Sequence, residues 1–484
     1  MDSADFRVVR AVKQNRVPMM FALRLRQWLV SRLAIALASF SIWAGQLPAG
    51  EDVDQSAVRR WVVRLDSNRK SDREEAKKEL MTLGPAALKW LPEPESLGSR
   101  ATVEALRDVR AKLERQKAEE SVHAARLTGA VSSSIGETLQ RLTKETGNSV
   151  VTDDLSKELL SQPIELPGRP TFWDVIEATA RRHELSWAFV GSPARLRLFP
   201  MTNSANEDSP RAVLAATQSK AFRVALKSIR ERTVVGQDSG PLLRLEVDVM
   251  SEPRLRPLFL KCSVAEIAVS GTRKATKDKP ATVGWQPYSP DAKLELTFGQ
   301  GHRQMSVPLD FRRPEGEWTS LSVVGKLHIE TAAGEEPLEF PAGKEAQSVS
   351  RRRGGVTVKV LRWESGGAKG NGLDVTALVT YDTGGPAFES YRSWMLFNVA
   401  GLVRAGMMPT EKLASGLALN DVSLLKPTHI DSDVQPDGSI AVTYRFEKLP
   451  LPASEYRFRY VAPTLILDVP LEFELRDIPL RSGR

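Results

Sequence analysis

Two segments of this 484-residue chain gather chemically active side chains where their neighbours leave little freedom. In Ser251-Glu252-Pro253-Arg254-Leu255-Arg256-Pro257-Leu258, a carboxylate and two guanidinium groups sit between prolines, and a proline ring fixes φ near −65°. In Pro386-Ala387-Phe388-Glu389-Ser390-Tyr391-Arg392-Ser393-Trp394, aromatic rings surround one acid and one base. Aromatic faces beside polar groups can stack a sugar or a peptide. Glu389, Tyr391, Arg392 and Trp394 are therefore the candidate binding edge. The same residues also suit a crossover that caps a core, with Tyr391 and Trp394 buried and Arg392 paired to Glu389. The cap is the expectation for this segment.

Motifs for catalysis are missing from the sequence. His123, His183, His302, His328 and His429 lie in no His-x-Glu-x-x-His pattern and have no zinc-ligand spacing. There is no Gly-x-Ser-x-Gly elbow and no glycine-rich phosphate loop. Asp431, Asp433 and Asp437 have the type of calcium ligands, but Val434, Gln435 and Pro436 break the loop spacing, and a plain turn is expected. Acid pairs such as Asp374 and Asp382 cannot be placed at glycosidase separation from sequence. Cys262 is the single cysteine. It excludes an intrachain disulfide, and its alternating apolar neighbours predict a buried core thiol. No catalytic residue, metal or cofactor is expected.

Around these segments the chain changes periodicity several times. Arg24, Arg26 and Arg32 lead into an uncharged apolar run over 33–44, followed by Gly45, Pro48, Ala49 and Gly50. The run is too short for the roughly 20 apolar residues of a spanning helix, and the arrangement reads as a secretory signal over 1–49. Met19 and Met20 are possible true starts, and Ala44 or Ala49 could precede the cleavage site. An uncleaved segment over 28–44 would instead anchor the chain in the inner membrane. Removing 1–49 lowers the net charge from +8 to +3, so the basicity is little evidence for nucleic-acid binding.

Residues 53–120 read as helices, with Ser71 and Glu74 spaced as a capping box and Gly84-Pro85 as a stop. Residues 124–200 read as a small β-α-β-β-α-β module with a closing hairpin: Ser134 precedes one helix, Thr171 caps the other, and Gly191-Ser192-Pro193 turns the hairpin. Polar residues 201–218 read as a linker. From 219 onward the apolar period becomes two, in runs such as Phe222-Val224-Leu226, Leu243-Leu245-Val247 and Leu258-Leu260-Cys262. The pattern restarts after Arg351-Arg352-Arg353 with Val356-Val358-Val360 and Leu373-Val375-Ala377. These runs predict two tandem antiparallel β-sandwiches, 219–345 and 350–484; a single larger sandwich is the alternative. The fold class is thus multidomain α+β, an N-terminal helical cap and a small α/β module followed by sandwiches.

Three stretches resemble known families. Arg73-x-x-Ala76-x-x-x-Leu80-x-x-Leu83-Gly84-Pro85-x-Ala87-x-x-x-Leu91 resembles one unit of a HEAT-like helical repeat, although a self-standing array needs about three. The phrases 138–148 and 171–176 make 124–200 resemble the short N-terminal domain of secretins and TonB-dependent proteins, which implies a periplasmic protein-interaction module. No pore or barrel follows, so only the interaction role carries over. Glu252-Pro253-Arg254-Leu255-Arg256-Pro257 and the closing stretch 460–480 make 220–480 similar to uncharacterised exported planctomycete-type proteins, a resemblance that implies an exported β-rich architecture without an activity. Together these readings predict a non-enzymatic binding or structural protein of the envelope, exported to the periplasm or cell surface. Its expected partner is another envelope protein or a polysaccharide, not a nucleic acid, with membrane contact only through an uncleaved N-terminal segment. The alternative is a polysaccharide-active enzyme with carboxylates on sandwich loops.

Overall fold

The computed structural model describes residues 54–480, apart from 93, 95–96, 98, 192–193, 202–212, 233–241, 274–280, 299–301, 367–371, 382–398, 405–423 and 438. Three helices come first: α1 (Gln55–Arg64), α2 (Lys70–Thr82) and α3 (Arg100–Ser121). Asp54 caps α1 by accepting from the Ser56 N–H at 2.9 Å. Helix α2 starts one residue before Ser71 and has no side-chain cap. Ser67 organises that entry instead, accepting from the Arg69 N–H and donating to Asp72. Pro85–Lys89 forms a single 3₁₀ turn. Val58, Leu80, Leu106 and Leu113 close a small apolar core, while exposed charged pairs four residues apart line the other face of α3.

The next unit runs β1 (Val131–Ser134), α4 (Ile135–Thr146), β2 (Val150–Val151), α5 (Lys157–Leu160), β3 (Pro163–Leu166), α6 (Phe172–His183), β4 (Leu185–Val190) and β5 (Arg195–Pro200). Ser134 with Glu137, and Thr171 with Asp174, form complete capping boxes on α4 and α6. Gly147 ends α4 in the left-handed conformation at φ 71°. Strands β1 and β3 pair antiparallel, and β2 lies parallel to β5 in a three-stranded sheet. Phe172, Trp173, Ile176 and Leu196 fill the core between them.

The remainder is mostly β, and its described strands form two antiparallel sheets. Its strands are β6 (Ala215–Ser219), β7 (Phe222–Arg232), β8 (Leu242–Ser251), β9 (Arg256–Ser263), β10 (Ile267–Thr272), β11 (Thr282–Pro287), β12 (Lys293–Thr297), β13 (Gln304–Arg312), β14 (Ser320–Phe340), β15 (Ser350–Arg353), β16 (Val356–Gly366), β17 (Gly372–Tyr381), β18 (Val399–Arg404), β19 (His429–Val434), β20 (Ile440–Phe446) and β21 (Tyr456–Pro479). One sheet runs β12-β9-β14-β10-β11-β13-β8-β7-β6, with β21 on the other edge of β14 and β18 beyond it. A second sheet runs β15-β16-β17-β20-β19. Strand β6 occupies the end of the stretch read as a linker. Its small residues pair with β7 across a tight turn at Lys220, whose φ is 53°.

Two large cores fill this region. Val247, Leu309, Leu327 and Val469 meet in the first. In the second, Val358, Val375 and Val442 pack with Phe340, Phe458 and Tyr460. The sequence places a boundary at 345–355, but β14 and β21 pair in near-continuous register through both cores. Residues 469–478 therefore pack with strands that precede 330. Bulges between Leu226 and Ser228 on β7, and between Val360 and Arg362 on β16, lie at matching places in the two halves.

Candidate functional site

The proline-bracketed segment 251–258 is the turn between β8 and β9, and it meets the α/β unit. Pro253 stands at the second position of a β-turn closed by the Leu255 N–H on the Glu252 carbonyl at 3.0 Å. The turn buries Glu252 completely. Its carboxylate accepts from the Ala125 N–H at 2.9 Å, from Asn148 Nδ2 at 2.8 Å and from Arg254 Nε at 2.7 Å. Asn148, also fully buried, follows the Gly147 cap of α4, and its Oδ1 accepts from the Arg254 N–H at 3.0 Å. Arg254 Nη2 donates to the His123 carbonyl at 2.7 Å. Backbone bonds from Glu252 to Ala221 and from Ala221 to Val122 complete the junction. A buried carboxylate needs such pairing, because an uncompensated charge in the interior carries a large desolvation penalty.

Beside this junction lies a cavity of about 200 Å³. The α/β unit contributes Gly147, Ser149 and Arg195; the turn contributes Arg254, and the start of β9 contributes Arg256; β14 contributes Glu335. Arg303, just before β13, completes the wall. It is only 4% exposed, and among the described residues its guanidinium makes two hydrogen bonds, to the Pro253 and His302 carbonyls, both long at 3.4 Å. Among the described residues no carboxylate lies within ion-pair distance of Arg303. Burial pushes its guanidinium down to about 10, with Glu335 opposing that shift and Arg256 adding to it. Arg256 Nη1 lies 2.8 Å from Glu335 Oε1. Four arginines thus face one lining carboxylate, with Glu252 behind Arg254. Guanidinium forks match carboxylate and phosphate oxygens in bidentate geometry, so these side chains are chemically suited to hold an anion.

Two other concavities differ in character. One of about 320 Å³ lies between α6 and β6, where Arg223 stacks over Trp187 at 5.3 Å and donates to Glu177 at 2.6 Å. The other is an open hollow of about 430 Å³ beside Thr171, Asp174 and Lys220. Each of the three is lined by a single carboxylate: Glu335, Glu177 or Asp174.

Glu389, Tyr391, Arg392 and Trp394 lie outside the described residues. Cys262 is buried in the first β core, and burial pushes its thiol up to about 11. Asp431 pairs with Arg445 at 3.1 Å, and Asp437 caps the β19–β20 turn by accepting from Ser439. Among the described residues no cluster of histidine, cysteine or acids has a metal-binding arrangement. No described helix is long and apolar enough to cross a membrane. Sequence reading marked Glu252, Arg254 and Arg256 as unusual but missed Asn148 and Arg303. The position of Asn148 after a helix-capping glycine was the only signal for it, and Arg303 had none. Comparison with family models, curated proteins and solved structures returned no match.

Proposed function

We propose that this chain is an exported, non-enzymatic binding protein of the cell envelope, and that it holds an acidic group of its partner in the arginine-lined cavity. In this reading the α/β unit is the interaction module and the β region forms two sandwiches that share β14 and β21. The observation that carries the proposal is Arg303, a buried guanidinium without a carboxylate partner among the described residues, which faces a cavity walled by three further arginines. Each of the three cavities described above is lined by a single carboxylate among the described residues, whereas glycoside hydrolysis uses a pair. Support for export comes from the signal-like pattern over 24–50.

The test joins localisation to capture. Fractionation with N-terminal sequencing should place a chain lacking the first 44–49 residues in the envelope. Immobilised wild type should then retain a partner that the Arg195→Met and Arg303→Met forms lose. A cytoplasmic chain that keeps residues 20–49, or equal retention by all three baits, would refute the reading.

A further inference from the structure

The charge balance of the cavity specifies its ligand more closely. Arg195, Arg254, Arg256 and Arg303 carry four positive charges; Glu335 in the lining and Glu252 behind Arg254 return two. Among these described residues an excess of two remains, in a place where Arg303 is shielded from water and charge is weakly screened. A carboxylate or a sulfate ester brings only one negative charge. A phosphomonoester brings between 1.5 and 2 at neutral pH and offers three acceptor oxygens to guanidinium donors. The cavity, at about 200 Å³, is also below the roughly 300–1,000 Å³ of pockets that enclose a whole drug-sized ligand. It suits the compact end of a molecule.

We infer that the arginine cavity between the α/β unit and the β8–β9 turn is a phosphoryl site, recognising a terminal phosphomonoester or free phosphate as a tetrahedral dianion. The inference rests on the reading of this cavity as the binding site and adds the class of ligand. Its walls come from the α/β unit, from the turn and from β14, so a bound phosphoryl group ties these three parts together. Arg303 and Arg195 are its central contacts, because neither has a carboxylate partner among the described residues. Glu335 opposes binding through its negative charge.

Calorimetric titration of the mature chain with methyl phosphate, methyl sulfate, acetate and inorganic phosphate tests this. Methyl phosphate and methyl sulfate share a shape and differ by one charge. At pH 7.5 methyl phosphate should bind at least tenfold more tightly than methyl sulfate or acetate. That advantage should shrink toward pH 5.5, as the phosphoryl group, with its second pKa near 6, gains a proton. Methyl sulfate stays singly charged across the range and corrects for titration of the protein itself. Arg303→Met and Arg195→Met should each weaken methyl phosphate at least tenfold, and Glu335→Gln should tighten it. Inorganic phosphate binding as tightly as methyl phosphate would identify the free ion as the ligand; tighter methyl phosphate would identify an ester. Acetate or methyl sulfate binding as tightly as methyl phosphate, and lost in Arg303→Met, would overturn the phosphoryl assignment while leaving the anion-holding role intact. Absence of binding by all four probes would remove both.

Discussion

Replacing Glu252 with alanine probes the junction on which the cavity is built. The carboxylate is fully buried and accepts three hydrogen bonds of 2.7–2.9 Å, from Ala125, Asn148 and Arg254. Each bond to a charged group contributes about 1.5–3 kcal/mol, but the three share one acceptor group and do not add. The larger effect is what remains: a fully buried Asn148 amide without its acceptor, and Arg254 without its counter-charge. Breaking one side of a buried charge pair costs about 3–5 kcal/mol. The Arg254 side chain is one-fifth exposed, so water recovers part of that loss and about 3 kcal/mol is expected. The loss falls between the α/β unit and the β region, so the units should uncouple before either core melts. Urea unfolding followed by tryptophan fluorescence and by far-ultraviolet circular dichroism should give transitions that separate in Glu252→Ala and coincide more closely in wild type. A variant within about 0.5 kcal/mol of wild type, with unchanged coincidence of the two probes, would place Glu252 among ordinary surface positions and refute the junction argument.

Three further outcomes follow from other parts of the molecule. Burial raises the Glu114 carboxyl above its ordinary 4.5, against the lowering effect of Arg352 and Arg110. Its protonation therefore favours the fold fully below 4.5, and that contribution is lost as pH rises through the raised value; in thermal melts Glu114→Gln should exceed wild type at pH 7.5, by a margin that narrows toward pH 4. A Cβ on Gly271 would lie 2.6 Å from Trp318 and 2.7 Å from Trp285, so chemical denaturation of Gly271→Ala should show a loss of about 1–3 kcal/mol from overpacking. Cys262, buried and held near 11, should resist a thiol reagent at pH 8 in the native chain and react at once in urea.

Local signals in the sequence were legible where they act locally. Ser134 and Thr171 cap the helices they precede, because a hydroxyl followed three residues later by an acid satisfies two free N–H groups within one turn. Alternation marked β16 and β17 because a half-buried strand shows one face to a core; it marked β7 and β8 as well, although residues 222–226 and 247–251 are buried on both faces. Alternation does not name a neighbour, however. The pairing of β14 with β21, which threads both cores, joins segments more than 100 residues apart and left no trace in either. Strand β6 was missed because Ala215-Ala216-Thr217-Gln218-Ser219 has no bulky apolar residue and is held by backbone pairing to β7. The site divides in the same way. Charge trapped between prolines drew attention to 251–258, whereas Asn148 and Arg303 lie 104 and 50 residues from their partners there. Only the folded chain brings them together.

The central claim, that the arginine cavity captures a tetrahedral dianion, is tested most directly by crystals of the mature chain grown with selenate and measured at the selenium edge. An anomalous peak within hydrogen-bond distance of Arg303 and Arg195, absent from Arg303→Met crystals grown in the same solution, is the predicted result. Selenate peaks confined to other surfaces, with the cavity beside Glu252 holding none, would contradict the account.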